Sequence, residues 1–252
     1  MSRARNRGGA EPLLSVAALF VTALVSVPLF AQADPDALYR ERENVARARE
    51  AAAIWQGRVS GNATDFESLW KLARATYWLG EHDQQNARRD WLERGVAAAR
   101  AAAALEPKRP EGYFWMAANM GALAESFGIR QGLRYRGPIR DALETVLRLD
   151  PAYLDGSADR ALGRWYHRVP GLFGGDKKRA EAHLRTSLKY NPDSIISRFF
   201  LAETLLELDR DADAMQELQK VIDAPLDPDF EPEDREFKKK AADLIAKRGP
   251  KR

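Results

Sequence analysis

The sequence predicts an all-α protein built from about four helical hairpins, with an extra helix before them and a capping helix after them. Apolar residues recur at helical spacing along most of the chain, and no segment alternates between apolar and polar residues as strands do. Prolines that can end a helix recur at intervals of 44 and 41 residues, at Pro107, Pro151 and Pro192. These three observations favour a stack of helical repeats.

Residues 1–33 have the three parts of a secretory signal peptide. Arg3, Arg5 and Arg7 form a basic start, an apolar run follows over residues 13–29, and Ala31-Gln32-Ala33 offers a small-x-small cleavage site. We therefore expect residues 34–252 to form a single helical-repeat domain in the periplasm. The alternative is an uncleaved N-terminal helix that anchors the chain, although the apolar run is short for a membrane span.

The composition excludes several classes of protein. Hydrophobic residues make up 45% and charged residues 31% of the 252-residue chain, which is an ordinary globular balance. The chain has no cysteine, so disulfides, cysteine metal sites and a lipidated cysteine are excluded. Residues 1–33 hold three arginines and one glutamate, so the net charge of +3 falls to +1 without them. That balance does not indicate nucleic-acid binding, which needs a concentrated basic face.

The helices are predicted in chain order from capping residues and apolar spacing. Asp34-Pro35-Asp36 begins a helix that we expect to reach Gly57, because acidic residues and proline suit a first turn. The first hairpin pairs Asp65–Leu79 with Gln85–Leu105. The later elements are a pair around 113–120 and 139–147, a pair within 161–192, a pair over 195–208 and 212–223, and a capping helix over 232–247.

The segment 161–192 carries the clearest repeat signature. Leu162, Gly163 and Tyr166 match the Leu-Gly-x-x-Tyr of the first helix of a tetratricopeptide repeat, and the second helix supplies Ala180, Leu184 and Pro192. Gly163 would let the paired helix approach closely. The segment is longer than the standard repeat of roughly 34 residues. We expect the extra residues in loops on one rim of the stack, at 80–90, 127–138 and 168–176.

The sequence lacks the signatures of an enzyme. The histidines His82, His167 and His183 are scattered without metal-ligand spacing, and neither a nucleophile elbow nor a phosphate loop occurs. We predict no catalytic residue, no metal and no cofactor. Gly174-Gly175-Asp176 could hold an anion on backbone amides, but Asp176 fits a helix N-cap better, because its carboxylate would occupy that position.

Aromatic residues cluster on the first helices of the hairpins, which line the concave face of a tetratricopeptide solenoid. Three pairs are adjacent in sequence: Tyr77-Trp78, Phe114-Trp115 and Trp165-Tyr166. Neighbours in a helix point about 100° apart, so one member of each pair can pack between helices. The other either contacts an inserted loop or lines a groove for a ligand or peptide. The predicted binding residues are Trp70, Tyr77, Trp78, Tyr113, Trp115, Asn119, Arg164, Trp165 and Tyr166. The basic stretch 130–140 is interpreted as solvated.

The stretch Leu-Gly-Arg-Trp-Tyr-x-x-Val-Pro-x-x-x-Gly-Gly-Asp at 162–176, followed by Lys-Arg-Ala-Glu-Ala-His-Leu, resembles the T-component family of TRAP transporters. The resemblance covers about residues 65–223. It implies a periplasmic accessory protein that binds the solute-receptor P component of a TRAP uptake system, and a small hydrophobic solute as well. A weaker similarity connects the chain to eukaryotic microtubule-regulating tetratricopeptide proteins, against which the signal peptide argues.

Two functional hypotheses follow. The first is an accessory protein of a TRAP uptake system that binds the P component and a small hydrophobic solute. The alternative is a generic cell-envelope tetratricopeptide scaffold that binds a peptide or protein and no small molecule. An enzyme is the least favoured class, no nucleic-acid partner is expected, and a homo-oligomer stays open.

Overall fold

The computed structural model describes residues 33–248, and within this range it contains helices and no strand. The all-α prediction is therefore confirmed. The described residues form eleven α-helices: α1 Pro35–Arg40, α2 Val45–Gly61, α3 Phe66–His82, α4 Arg88–Leu105, α5 Pro110–Ser126, α6 Ile129–Leu149, α7 Tyr153–Arg168, α8 Lys177–Tyr190, α9 Ile195–Leu206, α10 Asp211–Asp223 and α11 Glu231–Arg248.

The helices pair as four successive hairpins, as predicted. These are α3–α4, α5–α6, α7–α8 and α9–α10. The first helices also contact one another in the order α3, α5, α7, α9, so they form one inner layer. At the start of the array α1 packs on α2 and α2 packs on α3, and at its end α11 packs on α9 and α10.

The single N-terminal helix that we expected is two helices. α1 ends at Arg40 and α2 begins at Val45, because Asn44 caps the second helix by accepting a hydrogen bond from the amide of Ala46 at 3.0 Å. α2 then continues through Gly57 to Gly61. The glycine at position 57 therefore lies inside a helix instead of ending one.

The predicted connection over 127–138 was wrong for most of its length. α6 begins at Ile129 and continues through Pro138, after Gly128 has turned the chain at a φ of 81°. Three glycines and a proline in this stretch suggested a loop. The stretch is helical because arginine, leucine and glutamine between those residues favour a helix and Tyr135 is buried against the core.

The repeat signature in the third hairpin predicted its packing correctly. A Cβ added to Gly163 would lie 2.5 Å from Leu184 Cγ and 3.2 Å from the carbonyl oxygen of Ala180, so only glycine permits this approach. Asp176 caps α8, since its carboxylate accepts hydrogen bonds from the amides of Lys178 and Arg179. The extra residues before it contain one 3-10 turn, at 171–173.

The C-terminal helix α11 reaches back to the start of the array. Arg42 Nε donates to Glu233 Oε1 at 3.1 Å, and Arg42 Nη2 donates to the carbonyl oxygen of Asp229 at 2.9 Å. Two further ion pairs join the same regions, Glu43 with Arg235 and His82 with Glu236. We call this set of contacts the end clasp. The end clasp joins α11, at the end of the described chain, to the α1–α2 connection and to the end of α3.

Within residues 33–248, no helix is both long enough and apolar enough to cross a lipid bilayer. The predicted signal peptide, apart from Ala33, falls outside the described residues. Its cleavage, and the periplasmic location that it implies, stay predictions.

Candidate functional site

The nine residues predicted to bind a ligand or partner do not form one surface. Five are buried in the core: Trp78, Trp115, Asn119, Trp165 and Tyr166. Four are partly exposed on the first helices: Trp70, Tyr77, Tyr113 and Arg164. The second set therefore offers more accessible surface for binding than the first.

Both members of the pair Trp165-Tyr166 are buried. The indole of Trp165 donates from Nε1 to the carbonyl oxygen of Arg136 at 3.0 Å, so it packs against the added residues at the start of α6. Tyr166 stacks on His183 with ring centroids 5.3 Å apart. Of the two alternatives for the second aromatic residue, contact with an inserted segment is what the structure shows for Trp165.

Trp78 and Asn119 also have structural partners. Trp78 Nε1 donates to the carbonyl oxygen of Arg42 at 2.8 Å, and its ring stacks on His82 at 3.6 Å between centroids. The amide of Asn119 donates to the carbonyl oxygens of Ala73 and Trp115, which ties α5 to α3. These contacts hold the inner layer together.

The partly exposed residues give the inner layer a polar surface. Arg164 donates to Glu203 at 2.7 Å and to Glu125 at 3.3 Å, and its guanidinium lies 4.6 Å from the ring centroid of Phe200. Burial raises the pKa of Tyr77, and nearby glutamates raise it further. This part of the inner layer is therefore satisfied internally and leaves little unpaired charge for a ligand.

The indole of Trp70 and the hydroxyl of Tyr113 are held by short-range contacts. Trp70 Nε1 donates to Glu67 at 3.1 Å within the same helix, and Tyr113 donates to the carbonyl oxygen of Pro107 at 3.4 Å. They lie on α3 and α5, away from the concavity described next.

A cavity of about 200 Å³ lies where the start of α7 meets the start of α9 and the start of α11. Leu154, Asp155 and Gly156 have φ values of 44°, 56° and 72°, so the first turn of α7 is left-handed before the regular helix begins. Asp155 and Arg160 line the cavity from α7. We call this site the inner cavity; four carboxyl groups, Arg160 and an apolar wall line it, the carboxyl groups being those of Asp155, Asp193, Asp227 and Asp234.

The charges of the inner cavity are not balanced. Arg160 is the one basic residue in its lining, and it makes no ion pair with any residue of 33–248. Burial lowers the pKa of Arg160, although Tyr77 and Asp155 partly oppose this. Burial also raises the pKa of Asp234 to about 6, although the hydrogen bond that its carboxylate accepts from the amide of Asp227 opposes the shift. A cationic group placed here would relieve the repulsion among the carboxylates.

The histidines have the contacts of structural residues. His167 Nδ1 lies 3.0 Å from the hydroxyl of Thr204, and burial together with Lys177 lowers the pKa of His167 to about 4. His183 Nδ1 lies 2.7 Å from Asp159. Across residues 33–248, no three His, Asp or Glu side chains converge as metal ligands.

A second concavity, of about 430 Å³, is an open groove beside the end clasp. Its lining combines the apolar residues Val45, Trp78 and Pro232 with the polar residues Glu43, His82, Arg235, Glu236 and Lys239. Burial opposes the charged form of His82, but its hydrogen bond to Glu236 raises the pKa of the imidazole on balance. Glu43 pairs with Arg235 and His82 with Glu236, which leaves fewer unpaired charges here than in the inner cavity.

Sequence reasoning missed the residues of the inner cavity. Arg160 lies four residues before Arg164 and so on the same helical face, which was a usable signal. The four carboxyl groups come from three separate segments of the chain. No local pattern brings them together, because the α10–α11 connection reaches the cavity only through tertiary packing.

A solved structure shows the same fold. TTC0263, a thermophilic TPR protein of Thermus thermophilus, is 21% identical, with 84% of this chain and 97% of that chain covered and a TM-score of 0.63. The tetratricopeptide-like fold predicted from the sequence is therefore confirmed. MamA is more distantly similar, at 13% identity, with 81% and 95% covered and a TM-score of 0.49. None of the curated proteins matches this chain.

The family model that matches this chain is "Regulator of microtubule dynamics protein 1-3", over residues 31–249. Of the two resemblances drawn from the sequence, the weaker one is supported and the T-component assignment is not confirmed. The signal peptide was a poor argument against this family, because a targeting segment does not determine the fold that follows it. Since the match spans most of the 252 residues, the chain belongs to the regulator of microtubule dynamics protein 1-3 family.

Proposed function

We propose that this chain is a binding scaffold whose inner cavity receives a basic side chain from an extended segment of a partner protein. The observation that supports this most directly is the excess of carboxyl groups in the cavity. Four aspartates face one arginine there. The cavity therefore remains acidic even when Asp234 is protonated.

The size of the inner cavity favours a side chain over a free small molecule. Pockets for drug-sized ligands measure about 300–1,000 Å³, whereas this cavity measures about 200 Å³. Ile195, Ile196 and Phe230 supply an apolar wall for the aliphatic stem of a lysine or arginine. Asp155 and Asp193 are exposed, so they are available to its charged end.

The inner cavity gives little support to the binding of a small hydrophobic solute. Such a solute needs an enclosed apolar cavity, and aspartates line much of this one. An extended segment of a partner protein, with a basic residue between apolar ones, suits the described surface better. The family name describes a role in microtubule dynamics for the proteins that carry it.

A narrower proposal makes that partner the P component of a TRAP uptake system. It rests on the resemblance of residues 162–176 and on the predicted signal peptide. Cross-linking of the purified chain with a purified P component tests it. The expected product is a one-to-one conjugate that the double variant Asp155→Asn/Asp193→Asn forms poorly, and the absence of a conjugate would remove this narrower role.

The scaffold proposal is tested with three labelled peptides of equal length, one basic and apolar, one acidic and apolar, and one neutral. Fluorescence anisotropy should show that the chain binds the basic peptide most tightly. Asp155→Asn/Asp193→Asn should weaken that binding by about fivefold to thirtyfold, because two exposed charge contacts are lost. Asparagine tolerates the left-handed backbone at position 155.

The matched control is Asp90→Asn/Asp243→Asn, which changes the same charge at two exposed aspartates on α4 and α11. It should leave peptide affinity unchanged. Equal affinity for the three peptides, or equal weakening by the two double variants, would show that the inner cavity is not the binding site.

A further inference from the structure

The residues added to the second and third hairpins meet on one rim of the array. They are 129–137, at the start of α6, and 168–175, between α7 and α8. Arg136 Nη1 donates to the carbonyl oxygen of Phe173 at 3.1 Å. The carbonyl oxygen of Arg136 in turn accepts a hydrogen bond from Trp165 Nε1 at 3.0 Å. We call these two segments the basic rim. Their mutual contacts fix them as one surface.

The basic rim carries most of the exposed large apolar side chains in residues 33–248. Residues 33–248 have five such exposed side chains. Three of them lie on the basic rim: Ile129 at 81%, Leu133 at 44% and Leu172 at 89%. A group of exposed apolar side chains is unusual on the surface of a soluble protein and marks a site of interaction. Leu172 stands at the tip of the 3-10 turn, so it protrudes instead of lining a groove.

The charge of the rim is of one sign. No aspartate or glutamate occurs over 127–140 or 168–175. Arg130, Arg134 and Arg136 make no ion pair with a residue of 33–248, whereas Arg140 pairs with Glu144 and Arg168 with Glu125, each at 3.6 Å. Three arginines without a carboxylate partner therefore lie in the same pair of segments as three exposed apolar side chains.

We propose that the basic rim docks on a membrane surface that contains anionic lipids. Ile129, Leu133 and Leu172 enter the headgroup region, and the exposed Arg130 and Arg134 contact lipid phosphates. An amphipathic basic helix with protruding apolar residues is the usual structure for such peripheral contact. An acidic protein would satisfy the arginines, but protruding leucines need a soft apolar layer or a matching pocket. The membrane fits both features together.

The chain has no cysteine, so a single reporter can be placed on the rim. Leu172→Cys carries an environment-sensitive fluorophore, and Leu226→Cys, beside the inner cavity near the opposite end of α7, is the matched control. The probe is vesicles of phosphatidylcholine with phosphatidylglycerol, compared with phosphatidylcholine alone. We expect a blue shift and quenching by a lipid-bound quencher for position 172 with the anionic vesicles, and neither change for position 226.

Charge reversal on the rim provides the second arm, in the full chain with the label at position 172. Arg130→Glu/Arg134→Glu should reduce the fluorescence-detected partition into anionic vesicles by about tenfold or more. Arg100→Glu/Lys189→Glu, the same charge change at two exposed positions elsewhere, should not.

Four outcomes would overturn the proposal. The first is no response of position 172 to anionic vesicles, and the second is an equal response at position 226. The third is a response to soluble polyglutamate with none to vesicles, which would assign the rim to an acidic protein. Equal losses in the two charge-reversal variants would also contradict it.

Discussion

The inner cavity and the basic rim lie near the two ends of the same helix, α7. The cavity lies at the start of α7, is concave, and carries four aspartates against one arginine. The rim follows the end of α7, protrudes, and carries unpaired arginines among exposed apolar side chains. Neither surface is made from the residues that match the repeat pattern. The repeat supplies the support. The residues added to two hairpins supply the basic rim, and helix starts together with the α10–α11 connection supply the acidic cavity.

The largest expected effect concerns the support of the rim. Trp165→Ala should lower the free energy of unfolding by about 3–5 kcal/mol, because it empties a buried indole site and leaves the carbonyl oxygen of Arg136 without its donor. Urea denaturation measures the loss. Trp70→Ala is the control, since that indole is partly exposed and bonded within its own helix. Equal losses in the two variants would show that Trp165 does not anchor the rim.

A smaller effect is expected on the cavity side. Glu233→Gln should lower the free energy of unfolding by about 2–3 kcal/mol, because Arg42 is buried and would lose its carboxylate partner. Glu43→Gln, which breaks the exposed pair with Arg235, should lower it by less than about 1 kcal/mol. Hydrogen exchange should show faster opening of α11 in the first variant. Unchanged protection of α11 would contradict the role of the end clasp.

The pH dependence of stability tests the electrostatics of the cavity. The pKa of Asp234 is raised from 3.8 to about 6 in the folded state, so its favourable contribution is complete below about pH 4 and is lost as the pH rises through 6. Relative to Asp234→Asn, the unchanged protein should therefore lose about 1–3 kcal/mol between pH 4 and pH 7. Thermal unfolding at a series of pH values measures the difference. A constant difference would show that Asp234 titrates normally.

The smallest expected effect shows whether Leu172 contributes to the stability of the fold. Leu172→Ser should change the free energy of unfolding by no more than about 0.5 kcal/mol, because the side chain is almost fully exposed. Urea denaturation beside Trp165→Ala tests this within the same rim. A loss above about 1 kcal/mol would mean that Leu172 packs against the fold.

The sequence predicted contacts between consecutive helices well and contacts between distant segments poorly. Gly163 and Leu184 meet as the repeat pattern requires, because both lie on faces set by helical periodicity. Trp165 and Tyr166 were visible as an aromatic pair, but nothing local showed that both would be buried. The partner of Trp165 is the carbonyl oxygen of Arg136, in a stretch whose glycines and proline suggested a loop.

The candidate site was the least predictable part. Asp155 lies in a left-handed turn, and Asp234 belongs to a helix that returns to the inner layer. Arg42 and Glu233, which hold that helix, are nearly two hundred residues apart in sequence. Such contacts depend on the curvature of the whole array, which no short-range pattern encodes.

We infer that the acidic inner cavity, and not the basic rim, selects a basic partner segment. This is tested by the ratio of affinities for the basic and the acidic peptide in Asp193→Lys and in Arg130→Glu/Arg134→Glu. The cavity variant should lower the ratio about tenfold or more, and the rim variant should not lower it. A ratio that is unchanged in Asp193→Lys, or that falls equally in both variants, would show that the cavity does not select the segment.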